Sequence, residues 1–282
     1  MNNNQYKMLV LDLDGTVLNE EKRIPEENKL AIQKVIYKGV KVVVCSGRIF
    51  SGARAYAKEL GIKDFVIACN GAIIKTMPKN ELIYSNHLNY EDSQKVIDIC
   101  KANNIYMHAY IGETLVTEQL KYTSLLYSER NKEQDEEDRI DIKVVDSLKE
   151  YTEQCGTPVT KFVIISDYST ELEKVREEVS KIQTVEIASS ASDNIEVMNK
   201  GVCKGNAVEI LCEHLKIPIS QTVAIGDNEN DISLIESAGL GIAMGNAIPA
   251  IKRIAKDITY TNEEMGVARA LEKIFLANSH LQ

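Results

Sequence analysis

The sequence predicts an α/β protein: a doubly wound, Rossmann-like parallel sheet made from both ends of the chain, with a second α/β domain inserted into it. Three observations lead there. Over the first 75 residues, apolar strand-like runs alternate with helix-length segments, the pattern of βαβ units. The same alternation returns near residue 195 and continues to the end. Between them, residues 84–194 follow a different pattern, so the expected division is a core of 1–83 plus 195–282 and an insert of 84–194.

The elements follow in order. "MLVL" opens as a strand, and its unbroken apolar run suits a parallel strand buried on both faces. In "PEENKLAIQKVIYKG", Pro25 suits a first helical turn, Ile32, Val35 and Ile36 fall on one face, and Gly39 is a stop. "VKVVVCS" is a second strand, "SGARAYAKELG" a second helix and "DFVIAC" a third strand. In the insert, helices are expected near "YEDSQKVIDICKANN" and "STELEKVREEVSKI". Strands are expected near "IYMHAY", "ETLVTE", "TKFVIIS" and "TVEIAS". The run "SERNKEQDEEDR" reads as a solvated helix or loop. The return begins with the helix "GVCKGNAVEILCEHLKI", the strand "QTVAIGD" and the helix "NENDISLIESAG". It ends with the strand "LGIAMGN" and a last helix over 263–277.

Composition narrows the function. The chain has 282 residues, enough for one large domain or two ordinary ones. At 44% hydrophobic and 27% charged it reads as a globular protein. The start, "MNNNQYK", is polar, and no long apolar run follows, so neither a signal peptide nor a membrane span is expected. The six cysteines are scattered without a CxxC pair, which suits reduced thiols in a cytoplasmic setting. A net charge of −9 disfavours general binding to nucleic acid or anionic membrane. An anionic ligand then requires locally concentrated positive charge.

In open α/β sheets, ligands bind beyond the carboxyl ends of the strands. The polar residues expected there are Asp12, Asp14, Gly15 and Thr16, then Ser46, Gly47 and Arg48, then Asn70 and Gly71. The late strand adds Gly226, Asp227, Asn228, Asn230 and Asp231, and Lys204 begins the helix before it. Carboxylates at Asp12, Asp14, Asp227 and Asp231 repel one another unless a cation sits among them, and hard oxygen ligands with open positions suit Mg²⁺. Ser46, the Gly47 N–H, Lys204 and Asn230 are donors suited to phosphate oxygens. Each piece has a plainer reading. "DxD" is often a turn or cap, Ser46 can cap the next helix, Lys204 can be a solvated lysine, and His108 suits a structural or surface role. "GDNEND" fails as a calcium loop, with no glycine at the sixth position and Ala238 at the twelfth. No P-loop, HExxH or GxSxG motif occurs. The conjunction of the segments, each at a strand end or helix start, carries the weight.

"DLDGT" (12–16), "SGR" (46–48), "GVCKG" around Lys204 and "GDNEND" (226–231) resemble the four motifs of the haloacid dehalogenase-like superfamily. With "NGA" at 70–72 and a large insert between the second and third motifs, the resemblance is nearest to its Cof-type phosphatases. It implies that Asp12 is a nucleophile forming an aspartyl-phosphate and that Asp14 is general acid, then general base. It implies Mg²⁺ held by Asp12, the Asp14 carbonyl and Asp227, with Asp231 a direct ligand or an orienting partner. Ser46, Gly47, Lys204, Asn230 and the Leu13 N–H would bind the phosphoryl oxygens. The expected activity is hydrolysis of a small phosphorylated metabolite, with sugar phosphates the foremost class and nucleotides or vitamin-derived esters as others. Alternatives are a phosphotransferase or phosphomutase using the same intermediate, and a phosphate-binding regulatory protein without turnover. Oligomeric state, monomer or weak dimer, is left open.

Overall fold

The computed structural model describes residues 6–277. It divides into two compact units. One holds the chain up to Gly47, Ala53–Ile83 and the chain from Cys203 on. The other holds Tyr84–Val202 with the short segment Arg48–Gly52.

The chain first runs β1 (Met8–Leu11), α1 (Glu26–Tyr37), β2 (Lys41–Cys45), α2 (Phe50–Leu60), β3 (Phe65–Ala68), β4 (Ile73–Thr76) and β5 (Leu82–Ser85), all in the first unit except residues 50–52 of α2 and 84–85 of β5, which group with the second. All four residues of β1 are buried, as a strand covered on both faces requires. In the second unit come α3 (Tyr90–Ala102), β6 (Tyr106–Ile111), β7 (Thr114–Thr117), α4 (Tyr122–Arg130) and β8 (Asp141–Val144). After these follow α5 (Leu148–Gln154), β9 (Val159–Ile165), α6 (Ser169–Ser180), β10 (Val185–Ala188) and β11 (Asn194–Asn199). The first unit resumes with α7 (Lys204–Leu215), β12 (Thr222–Gly226), α8 (Ile232–Ser237), β13 (Leu240–Ala243), α9 (Pro249–Ile254), β14 (Asp257–Ile258) and α10 (Gly266–Leu271).

The first unit is built on a sheet in the order β14-β13-β12-β1-β2-β3-β4-β5. It is parallel from β14 to β3, and β4 runs antiparallel to β3. From β1 the chain builds outward through β2 and β3, and its return builds the other way through β12, β13 and β14. The strand order therefore reverses between β1 and β12, where open sheets of this type bind ligands. Register aligns Leu11 with Val44 on one side and Ile225 on the other. The segments after these strands leave the sheet at one level. Asn28 on α1 ties the helix layer to the β1 turn: its Nδ2 donates to the Val17 carbonyl at 3.2 Å, and its Oδ1 accepts from the Ala268 N–H at 3.0 Å.

The second unit has a sheet in the order β10-β11-β9-β6-β7-β8, antiparallel except for β7 with β8. One face packs against helices through Ala109, Phe162, Ile164, Ile195 and Val197 from strands and Val96, Ile97, Leu148 and Val175 from helices. The other alternating set holds buried polar groups. Lys161 on β9 donates to Glu196 Oε1 on β11 at 2.6 Å. His108 on β6 is fully buried rather than at the surface. Burial, then the Lys161 charge, pushes its imidazole down to about 3 and keeps it neutral.

The boundary expected at residue 195 moves. Residues 194–199 form β11, hydrogen-bonded to β9 and β10, so the first unit resumes at Cys203. The antiparallel β4 and the edge strand β5, together with α4, α5, β8, α9 and β14, were absent from the sequence expectation.

Candidate active site

Asp12 directly follows β1 and is 4% exposed. Lys204, the first residue of α7, is fully buried. Its Nζ donates to Asp12 Oδ1 and to Asp231 Oδ1, both at 2.6 Å. Cys203 caps this helix, its Sγ accepting from the Asn206 N–H at 3.5 Å. Asp231 ends a short 3₁₀ turn, Glu229–Asp231, after β12. Its Oδ2 accepts from the N–H groups of Asp227 at 2.9 Å and Asn228 at 3.1 Å. Both Asp231 oxygens are thus engaged, and the carboxylate locks the β12 exit loop onto Lys204.

Asp227 is oriented by Thr16, whose hydroxyl donates to its Oδ1 at 2.8 Å. Gly15, at φ +79°, passes so close that a Cβ there would run into the Asp227 carboxylate. Asn246 donates to the Gly15 carbonyl at 2.8 Å and fixes the turn. Carboxylate oxygens of Asp12, Asp227 and Asp231 lie within 4.8 Å of one another.

The electrostatics follow from this crowding. Burial raises the Asp12 carboxyl well above the ordinary range. Lys204 opposes this, and Asp231 and Asp227 add to it. Burial and then Asp231 push Asp227 up to about 7, against its Thr16 hydrogen bond. For Lys204, burial disfavours the charge but Asp12 and Asp231 outweigh it, so the ammonium is held well above its usual range. With all three carboxylates ionised, one ammonium leaves two negative charges, the complement of one divalent cation. All the donors are hard oxygens, so the set fits Mg²⁺.

The other expected residues are placed as follows. Asp14 is not one of the three clustered carboxylates, although its charge is felt at Asp227, and its Oδ1 pairs with Lys22 Nζ at 3.0 Å. The Leu13 carbonyl accepts from the N–H groups of Thr16 at 3.2 Å and Leu18 at 2.9 Å, closing the turn after β1. Ser46 follows β2, and its carbonyl accepts from the Asn70 N–H at 3.0 Å. Asn70 Oδ1 in turn accepts from Asn230 Nδ2 at 3.1 Å. Ser46 and Asn230 are therefore linked through Asn70, whose φ of +57° is strained for a non-glycine residue. Gly47 follows Ser46 at the same strand end, and the Arg48 guanidinium lies 5.8 Å from the Tyr127 ring centroid. Sequence reasoning placed Thr16 and Asn70 at the rim without a role, and it missed Lys22 and Asn246. The "DGT" spacing carries a signal for Thr16. Asn246 reaches Gly15 across 231 positions, which no local pattern reveals.

Among the described residues, no helix is long and apolar enough to cross a membrane. The family model for haloacid dehalogenase-like hydrolases matches residues 9–271. Phosphatase YwpJ of Bacillus subtilis is 30% identical, with 95% of this chain and 99% of that protein covered. The 5-amino-6-(5-phospho-D-ribitylamino)uracil phosphatase YcsE of the same organism is 32% identical, with 94% of each covered. A solved haloacid dehalogenase-like hydrolase from B. subtilis matches with a TM-score of 0.84 at 29% identity, over 98% of this chain and 100% of that one. With the carboxylate cluster at the sheet's switch point, these findings establish that the chain belongs to the haloacid dehalogenase-like hydrolase family, as an enzyme of its phosphatase branch.

Proposed function

We propose that the protein is a Mg²⁺-dependent phosphomonoesterase that acts on small organic phosphates through an aspartyl-phosphate at Asp12. The observation that supports this best is the buried Lys204, which clamps Asp12 to Asp231 beside Asp227. The clamp pins one Asp12 oxygen, and the other is then available to attack phosphorus in line. Asp14, outside the cluster, gives a proton to the departing alkoxide. It then takes one from the water that hydrolyses the aspartyl-phosphate and releases inorganic phosphate. Two of the three Lys204 donors are engaged, and the third suits a phosphoryl oxygen. Ser46, the Gly47 and Leu13 N–H groups and Asn230 would hold the remaining phosphoryl oxygens. Asp12, Asp227 and the Asp14 carbonyl would hold Mg²⁺, and Asp231, with both oxygens occupied, would orient them. When bound, Mg²⁺ neutralises charge on the phosphoryl group and aligns it with the nucleophile.

Sugar phosphates and related polyol esters are the leading substrate class. One relative's name places a phosphorylated ribityl chain among the compounds to test. The test is a phosphate-release screen over such esters, with Mg²⁺ or with a chelator, using wild type and Asp12→Asn. Turnover is expected only with the metal and is expected to vanish in Asp12→Asn. Retention above about a tenth of wild-type turnover in that variant overturns the nucleophile assignment. Release unaffected by the chelator overturns the metal assignment. Release without any added acceptor alcohol separates hydrolysis from phosphoryl transfer.

A further inference from the structure

Lys22 sits in the turn at residues 19–23, downstream of the β1 exit, with φ +59°. That is the left-handed region, where glycine is the unstrained choice. A lysine there works against the backbone, and its ammonium meets Asp14 Oδ1 at 3.0 Å. The two side chains are 49% and 30% exposed, and ion pairs this open to water add little to folding. Stability therefore gives no reason for a lysine at this position.

The turn is anchored on several sides. Asn19 Oδ1 accepts from the Arg23 N–H at 2.8 Å, and the Asn19 carbonyl accepts from the Lys22 N–H at 2.9 Å. Tyr56 on α2, itself buried, donates its hydroxyl to the Lys22 carbonyl at 3.0 Å. Glu263 accepts from the Glu20 N–H at 2.7 Å. The Lys22 carbonyl is thus held by α2, and the turn around it by the loop that carries Glu263. The buried ammonium of Lys204 pairs with Asp12 and Asp231, so the two lysines engage different acids.

We propose that Lys22 is a positioning residue of the active site. By gripping Asp14 Oδ1 it presents Oδ2 to the leaving oxygen of a phosphate monoester. As the P–O bond breaks and phosphorus bonds to Asp12, the proton on Asp14 passes to that oxygen. The proposal rests on the reading of Asp14 as general acid.

The test uses kcat/KM, which reports the steps through the first P–O cleavage, over a leaving-group series from p-nitrophenyl phosphate to ribose 5-phosphate. The nitrophenolate leaves without a proton, whereas the sugar alkoxide requires one. Lys22→Gly suits the left-handed backbone and removes only the side chain, and Lys22→Arg keeps the charge. Lys22→Gly is expected to lose about tenfold or more on alkyl esters and less than about threefold on p-nitrophenyl phosphate. Lys22→Arg is expected to follow wild type across the series. A uniform loss, or none on the alkyl esters, overturns the proposal. Asp14→Asn is measured in parallel. If it lacks a leaving-group-dependent loss, the reading of Asp14 itself fails. If it shows one and Lys22→Gly does not, only the role of Lys22 falls.

Discussion

At the scale of single residues, the site is governed by a charge imbalance in a dry place. Lys204 and its two partners have side chains that are 0%, 6% and 0% exposed. Breaking a buried ion pair by deleting one member strands the other and costs about 3–5 kcal/mol. Lys204→Met is therefore expected to lower the melting temperature sharply and abolish phosphate release. Adding Asp231→Asn, which removes one stranded charge, is expected to recover part of the stability without recovering turnover. Thermal unfolding of both variants in chelator checks this. The Asp227 carboxyl adds a pH dependence whose sign is fixed. It holds its proton up to about pH 7, against an ordinary value of 3.8. Between these limits the metal-free folded protein binds a proton that the unfolded chain releases. The contribution of Asp227 to stability is whole below the lower limit and is lost as pH rises through the window. The slope is at most about 1.36 kcal/mol per pH unit for one proton. A divalent cation competes for the same oxygens, so its apparent affinity is expected to tighten with pH up to about 7 and then level off. Urea unfolding in chelator from pH 5 to pH 8 reads the first effect, and Asp227→Asn is expected to flatten it. Calorimetric titration with Mg²⁺ reads the second.

At the scale of elements, precision comes from close approach between α7 and the start of α8. Gly205 lies one residue past Lys204, and a Cβ there would run into the Ser233 carbonyl. The Gly205 N–H also donates to Ser233 Oγ at 3.1 Å. Gly205→Ala must therefore push α7 away from the segment that carries Asp231. A loss of about 1–3 kcal/mol is expected, the usual cost of overpacking. Turnover is expected to fall further than stability explains, because Lys204 moves with the helix. Urea unfolding alongside steady-state kinetics separates the two. This contact also shows where sequence reading stops. The parallel strands and their carboxyl-end residues were legible because unbroken apolar runs must be buried on both faces, and the residues after them share one edge. β11 was not. "NIEVMN" places Ile195 and Val197 inward, but Glu196 between them is buried too. Its burial is balanced by Lys161, thirty-five positions away, and no local pattern announces that pair. The β4 and β5 strands carried their own signals, a β-branched run and a proline-containing turn. An expectation tuned to βαβ repeats passed over them.

At the scale of the whole molecule, the chain makes two units, and the second carries what an autonomous domain needs. Its sheet packs on α3, α5 and α6 through a hydrophobic cluster drawn from Leu88 to Val197. That cluster includes fully buried side chains from both sheet and helices, such as Phe162, Ile164, Val96 and Val175. The segment has the length of an ordinary domain, so it can bury enough apolar surface to offset its chain entropy. Its two ends also meet. Asn199 Nδ2 donates to Asn86 Oδ1 at 2.7 Å, so the chain enters and leaves at one place, as an insertion into another domain requires. The one other contribution to this unit is the short Arg48–Gly52 segment, where Gly52 lies against Ile140. Neither residue belongs to the cluster. Residues 86–202, expressed alone, are therefore expected to fold with a single cooperative thermal transition and a dispersed amide NMR spectrum. Phe162→Ala, within the cluster, provides the internal control. The core truncation is expected to cost about 3–5 kcal/mol in the fragment and a similar amount in the full chain. A fragment that melts gradually, or in which Phe162→Ala has no effect, would show that this unit depends on the first for its fold.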